Sequence, residues 1–379
     1  MAEASSIVRV LRHPPVHRES PESAAVAVGF AVFVIVCTIG CVVFWGRDPG
    51  IVGPGSVGEY TEIAAAIAAT IAFTAGRIAL ARAARSAAAG DRMDAAHRPG
   101  SKLSWFEVAA VALAHGAIAL LLWAGLARVL ADSFRGAVVF SYAAVPLAGA
   151  AIALTAYVVF LSAARLTPRL LSLIWAGLLV AGGFASMLRA SDPTWWKADL
   201  SVLGMAREAS GPTFDLTLIF AGSIVTIIAR QITAGPWTTS ERDARARLFV
   251  RLGLTLIGVL LAFVGLLPVD RFWLPHTSAA TGMAVVFGVM VFGLPWLVPS
   301  APRSFLLTGC VFAAAITASA VLFATRHYNL TAVELVSAVL IVSWIVMLSK
   351  VMVLLPPSPA TPVGASDVGT ATENGAVLA

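Results

Sequence analysis

The sequence predicts an all-α fold, a polytopic transmembrane helix bundle of about ten spans with both termini cytoplasmic, and three observations predict it. Ten hydrophobic stretches, most of 20 residues or more, run through the 379-residue chain. Only 12% of its residues are charged against 59% hydrophobic, and the mean hydropathy is +0.88. A soluble domain carries about twice that share of charge. The basic residues fall mostly between alternate stretches. Crossing the roughly 30 Å hydrocarbon core takes about 20 apolar residues as helix. A barrel also satisfies its backbone in lipid, but it needs short strands of alternating polarity. Runs such as 24–46 show no alternation, so helices are expected.

A polar segment, 1–23, precedes a first span at about 24–46. Further spans are predicted at about 60–81, 105–127, 138–164 (with Pro146) and 170–188. The second half continues with 214–233, 251–268, 277–298 (with Pro295), 304–324 and 332–354. The tail, 355–379, is rich in Pro, Gly, Ala, Ser and Thr and reads as disordered. This divides the chain into a cytoplasmic N-terminal segment, a four-helix region over 24–165, a six-helix region over 170–354, and a cytoplasmic tail.

Orientation follows from the basic residues. With the N-terminus inside, inner segments hold 17 Lys and Arg, including Arg82, Arg85, Arg230, Arg242, Arg245 and Arg303. Outer segments hold 8, among them Arg128, Arg189, Lys197, Arg271 and Arg326. Cytoplasmic loops carry the basic excess, so both ends are expected in the cytoplasm. The net charge of +6 is thus a topology signal, and no nucleic-acid partner is expected. Arginine over lysine, 23 to 3, with abundant alanine suggests a GC-rich bacterial genome and the bacterial inner membrane. The expected location is the cell membrane, multi-pass, with the lipid bilayer as partner.

Trp105, Trp195, Trp196, Trp237, Trp273 and Trp296 fall near span ends, where amphipathic rings anchor at headgroups. Small residues four apart (Ala65 and Ala69, Gly149 and Ala153, Gly177 and Ala181) allow close helix packing. Cys37, Cys41 and Cys310 lie inside apolar segments without polar companions, so neither a disulfide framework nor a thiolate metal site is expected.

Ionisable groups within spans are costly and mark functional candidates. Arg77 and Glu107 lie near inner span ends, where a long side chain reaches water. His115 is the titratable group near a midplane, either a partnered core histidine or a proton relay. A second group shares the outer boundary. Asp215 opens the sixth span, His276 and Thr277 the eighth, and Glu334 the tenth, while Asp199, Ser201 and Asp270 sit in outer loops. Carboxylates in a helix's first turn are also stabilised by the dipole, so Asp215 and Glu334 have a purely structural reading beside the shared-site one. A converged cluster would suit a divalent metal, general acid–base hydrolysis or a transporter's polar pocket. HExxH spacings and a phosphate loop ending in Gly-Lys-Ser/Thr are both missing, as is a nucleophile elbow. No cofactor is expected, and no metal is assigned.

Three stretches carry a resemblance. Asp192-Pro-Thr-Trp-Trp196 precedes Asp199-Leu-Ser-Val-Leu-Gly204 and Thr213-Phe-Asp215; Leu267-Pro-Val-Asp270 precedes His276; Tyr328-Asn-Leu-Thr331 precedes Glu334. In order and spacing they resemble the prokaryotic membrane family catalogued as domain of unknown function 998, over about 170–354. That family typically has a Ser-x-Leu-Gly loop followed by Phe-Asn, then Phe-Pro-x-Asp ahead of a His. Asp215 departs from its Asn, and Thr277 stands where Asn is common. The resemblance implies an integral membrane fold and no particular activity. Three functions stay open: transport or permeation of a small molecule through the outer pocket, a non-catalytic scaffold or regulator, and a membrane-embedded hydrolase acting on lipid or envelope substrates.

Overall fold

The computed structural model describes residues 21–90, 103–136, 139–205, 207, 210–234 and 241–354. Most of the predicted N-terminal segment, all of the predicted tail and Trp237 lie outside these residues. Among them ten helices are long and apolar enough to cross a membrane, and no strand forms. This is a multi-pass helical membrane protein. The helices are α1 (Pro21–Val43), α2 (Val57–Gly90), α3 (Trp105–Ser133), α4 (Ser141–Ala164) and α5 (Pro168–Arg189), then α6 (Gly211–Ile232), α7 (Glu241–Leu266), α8 (Trp273–Leu297), α9 (Arg303–Ala324) and α10 (Leu330–Leu354).

Two boundaries differ usefully from hydropathy. Helix α7 begins at Glu241, about three turns before its apolar run, because Glu241-Arg-Asp-Ala-Arg-Ala-Arg is rich in helix formers and sets acids in the first turn, against the positive dipole end. Helix α8 begins at Trp273, four residues before the predicted span, so His276 sits inside its first turn. Apolar length reports membrane depth, whereas backbone hydrogen bonding continues past it.

In the first half, α4 packs on both α1 and α2, and α2 packs on α3. Helix α3 then contacts α5 and α6. In the second half each helix packs on the next from α5 to α10, and α10 returns to α5, closing a ring of six. Helices α6 and α7 approach closely. A Cβ built on Gly258 would lie 2.6 Å from the Gly222 carbonyl, and one on Gly265 would lie 2.5 Å from the Asp215 carbonyl. Ala65 and Ala69 are fully buried, and Gly149 abuts Phe33 of α1 at 3.3 Å from its built Cβ. Gly177 is different: nothing lies within 4 Å of its built Cβ, although Ala181 is buried. Trp105, Trp196, Trp273 and Trp296 are exposed, while Trp175 and Trp344 fill the core.

Candidate functional site

The site is built on the connection between α5 and α6. Asp192 starts it with a local turn: the Thr194 backbone N–H and Oγ1 both donate to Asp192 Oδ1, at 2.7 and 2.8 Å. These two bonds hold the Asp192 carboxyl below its ordinary range. A short 3₁₀ turn, Trp195–Lys197, leads to a second, Leu200–Gly204. Asp199 caps the second turn, its Oδ1 accepting the Val202 N–H at 3.0 Å. Ser210 Oγ donates to the Leu203 carbonyl at 2.8 Å and returns the chain to α6. Gly204 is required there, since a Cβ would meet the Phe214 ring at 2.7 Å and Asp215 Oδ1 at 2.8 Å.

Helix α10 fastens this loop. Asn329 caps α10 by accepting the Ala332 N–H at 3.1 Å, and its Nδ2 donates to the Trp196 carbonyl at 2.7 Å. One turn on, Glu334 Oε2 accepts the Leu200 N–H at 2.5 Å, and Ser201 Oγ lies 3.4 Å from Glu334 Oε1. From α8, His276 Nε2 lies 3.0 Å from Ser201 Oγ, and its Nδ1 lies 2.7 Å from the Leu267 carbonyl. Residues 201, 276 and 334 thus join into one hydrogen-bonded chain.

Proton counting constrains that chain. A carbonyl only accepts, so Nδ1 of His276 carries a proton. In the neutral ring Nε2 then accepts, and it takes the single Ser201 hydroxyl proton. Ser201 has none left for Glu334 in that state. With a doubly protonated ring, Nε2 donates to Ser201 and Ser201 donates to Glu334. Ser201 therefore reports the protonation state of one neighbour to the other.

The other predicted residues take different positions. Asp215 is partly buried against Gly204, and its charged neighbour is Asp270, exposed in the loop after Leu267. The charged neighbour of Glu334 is Asp199. Thr277 is exposed, because one helical step turns it away from the face that His276 uses. His115 lies apart, in the four-helix half. Its Nδ1 is 2.8 Å from the Val111 carbonyl, its Nε2 is 3.0 Å from Ser162 Oγ, and it stacks on Phe73 with ring centroids 4.7 Å apart. Among the described residues no group of three or more His, Cys, Asp or Glu is placed to hold a metal ion.

Two further features were not singled out from the sequence. Arg230, counted there as a loop charge, pairs with the buried Glu107. Thr331, three residues before Glu334, is 4% exposed, and its Oγ1 has no hydrogen-bond partner among the described residues. Its place one turn ahead of a span-opening glutamate was the available signal. No family model, curated protein or solved structure shows significant similarity to the chain.

Proposed function

We propose that this multi-pass protein serves transport or permeation of a small molecule at the cell membrane, with the Ser201–His276–Glu334 cluster as its outward-facing recognition site. One observation carries the reading. Ser201, on the loop between α5 and α6, lies within hydrogen-bonding reach of both His276 of α8 and Glu334 of α10, so polar side chains from three elements meet across the ring of helices. Polar groups at membrane depth are costly, and groups gathered in this way mark substrate or ion paths. The order of the Ser-Val-Leu-Gly turn, His276 and Glu334 supports kinship with the domain of unknown function 998. His115 is not needed here, since both its ring nitrogens are engaged within the four-helix half.

A second reading, binding without passage by a regulator or scaffold, is favoured by the apolar cluster of Leu203, Phe214, Leu218, Val264 and Ala279 beside the site. The hydrolytic reading draws on the Ser201–His276 bond, but the carboxylate sits on the serine side and a carbonyl orients the imidazole, unlike a triad.

Passage and binding separate by thiol labelling in membranes, with Cys37, Cys41 and Cys310 replaced by Ala. A membrane-impermeant reagent applied outside should modify S201C and, under transport, also the deeper L218C and A279C. Reaction confined to S201C overturns transport in favour of binding alone.

A further inference from the structure

We infer that the lipid-facing side of α7 and α8 binds an anionic phospholipid at the end of the ring opposite the polar cluster, its headgroup drawn by Arg245 and Arg251 and its acyl chains lying along Leu248, Leu252 and Phe292. This interaction surface goes beyond the role proposed for the cluster and does not rest on it.

The start of α7 is the first observation. Cβ atoms built on Gly258 and Gly265 meet the Gly222 and Asp215 carbonyls. In that antiparallel register Ile232, the last residue of α6, stands level with Leu248 of α7. The stretch Glu241–Arg247 therefore projects past the end of α6 as ordered helix. Arg242 Nη2 donates to the Trp296 carbonyl at 2.8 Å, so α8 ends near the same level. Arginines here are carried at fixed positions on a helix and not on a loop.

The faces of the two helices are the second. Ala246, Val250, Leu254 and Ile257 of α7 are buried in the ring. On the other side Leu248, Leu252, Leu256, Val259 and Phe263 are exposed, at the steps of three and four residues that keep to one helical face. An exposed apolar stripe on a spanning helix is its lipid face. Three residues to either side of Leu248 stand Arg245 and Arg251, both exposed. Helix α8 matches it: Val285, Val289 and Phe292 are exposed, and the stripe ends at Trp296, 80% exposed. Charged and indole groups above two apolar stripes complement a phospholipid, a headgroup above acyl chains. A soluble acidic partner could reach the arginines but not the stripes that lead from them into the hydrocarbon.

Charge is the third. Four arginines stand against two acids in 241–251, and Arg303 opens α9. Arg251 and Arg303 take part in no ion pair among the described residues. Arg245 and Glu241 are 4.0 Å apart with both side chains largely exposed, a pair worth little. By contrast Arg230 and Arg165 are occupied by Glu107 and Glu22. The guanidinium fork matches phosphate oxygens, and basic clusters beside a spanning helix favour anionic lipid.

The test uses the full chain, with Cys37, Cys41 and Cys310 replaced by Ala, in phosphatidylcholine vesicles. A bimane label on L248C, or on F263C at the far end of the same stripe, is quenched by brominated phosphatidylglycerol or brominated phosphatidylcholine. The anionic lipid should quench L248C several-fold more effectively than the zwitterionic one, and F263C no more effectively. R245Q and R251Q should each lower the preference at L248C, by up to about fivefold, the attraction of one arginine at an anionic surface. R245K should keep most of it. Unchanged quenching by brominated phosphatidylcholine shows that each variant's helix is still seated in the bilayer. Equal quenching of L248C by the two lipids overturns the assignment and leaves the arginines to a soluble acidic partner. A preference undiminished in R245Q/R251Q, or one as large at F263C, overturns it as well.

Discussion

The guanidinium of Arg230 forks onto the carboxylate of Glu107, its Nε donating to Oε1 at 2.5 Å and its Nη2 to Oε2. This pair ties the last turn of α6 to the first turn of α3 and so joins the six-helix ring to the four-helix region. Glu107 is buried and also completes a capping box with Ser104, accepting its backbone N–H at 2.7 Å. The pair lies at the end of α6 opposite Asp215 and the polar cluster.

Breaking one half of a buried pair leaves a desolvated charge, costing about 3–5 kcal/mol. Arg230 is partly exposed, so R230A should lie at the lower end, about 3 kcal/mol. The double variant E107Q/R230A should recover much of that loss, because the buried group is then neutral. Reversible unfolding in mixed micelles measures both. A double variant no more stable than R230A would mean that the capping box, and not the charge, carries the effect.

Helix contact in the ring depends on missing side chains. A Cβ on Gly222 would lie 2.8 Å from the Ala262 backbone nitrogen and closer still to the Gly258 carbonyl, and backbone cannot step aside. G222A should therefore destabilise by about 1–3 kcal/mol, the usual cost of overpacking. G177A faces open space and should be neutral, or gain up to about 1 kcal/mol from helix propensity. Parallel melting curves decide the matter; equal losses in the two variants would contradict this account of α6 and α7.

Asp192 supplies a pH-dependent prediction. Its carboxyl is held below the ordinary range by Thr194, so the ionised form contributes stability above its unfolded pKa, and that contribution is lost as pH falls through the folded value. D192N should thus melt slightly below wild type at neutral pH, and the two curves should converge in acid. A difference that persists unchanged at acid pH would remove the Asp192–Thr194 turn as its source.

Much of the architecture was legible residue by residue. Ten crossings follow from apolar runs such as 332–354, because the length needed to span a bilayer is a local property. The places of His276, Ser201 and Glu334 at or near span ends were visible as polar residues interrupting or flanking those runs. Their mutual contact was not. Nor was the displacement of Thr277, which needs the helical phase of α8, or the pairing of Arg230, which looks in sequence like any arginine at an inner boundary. Gly177 shows the opposite error: small-residue spacing marks a possible contact, and the neighbouring helix lies elsewhere.

The chain alone determined that it is a helical, multi-pass membrane protein, with ten helices among the described residues long and apolar enough to cross, since partition between water and lipid acts on each segment separately. Only the tertiary structure decided that Ser201 stands between His276 and Glu334 and that Glu107 receives Arg230. Those meetings depend on the rotation and depth of each helix against its neighbours. Rotation and depth are set jointly by many close contacts, such as Gly222 on Gly258, that no single segment encodes.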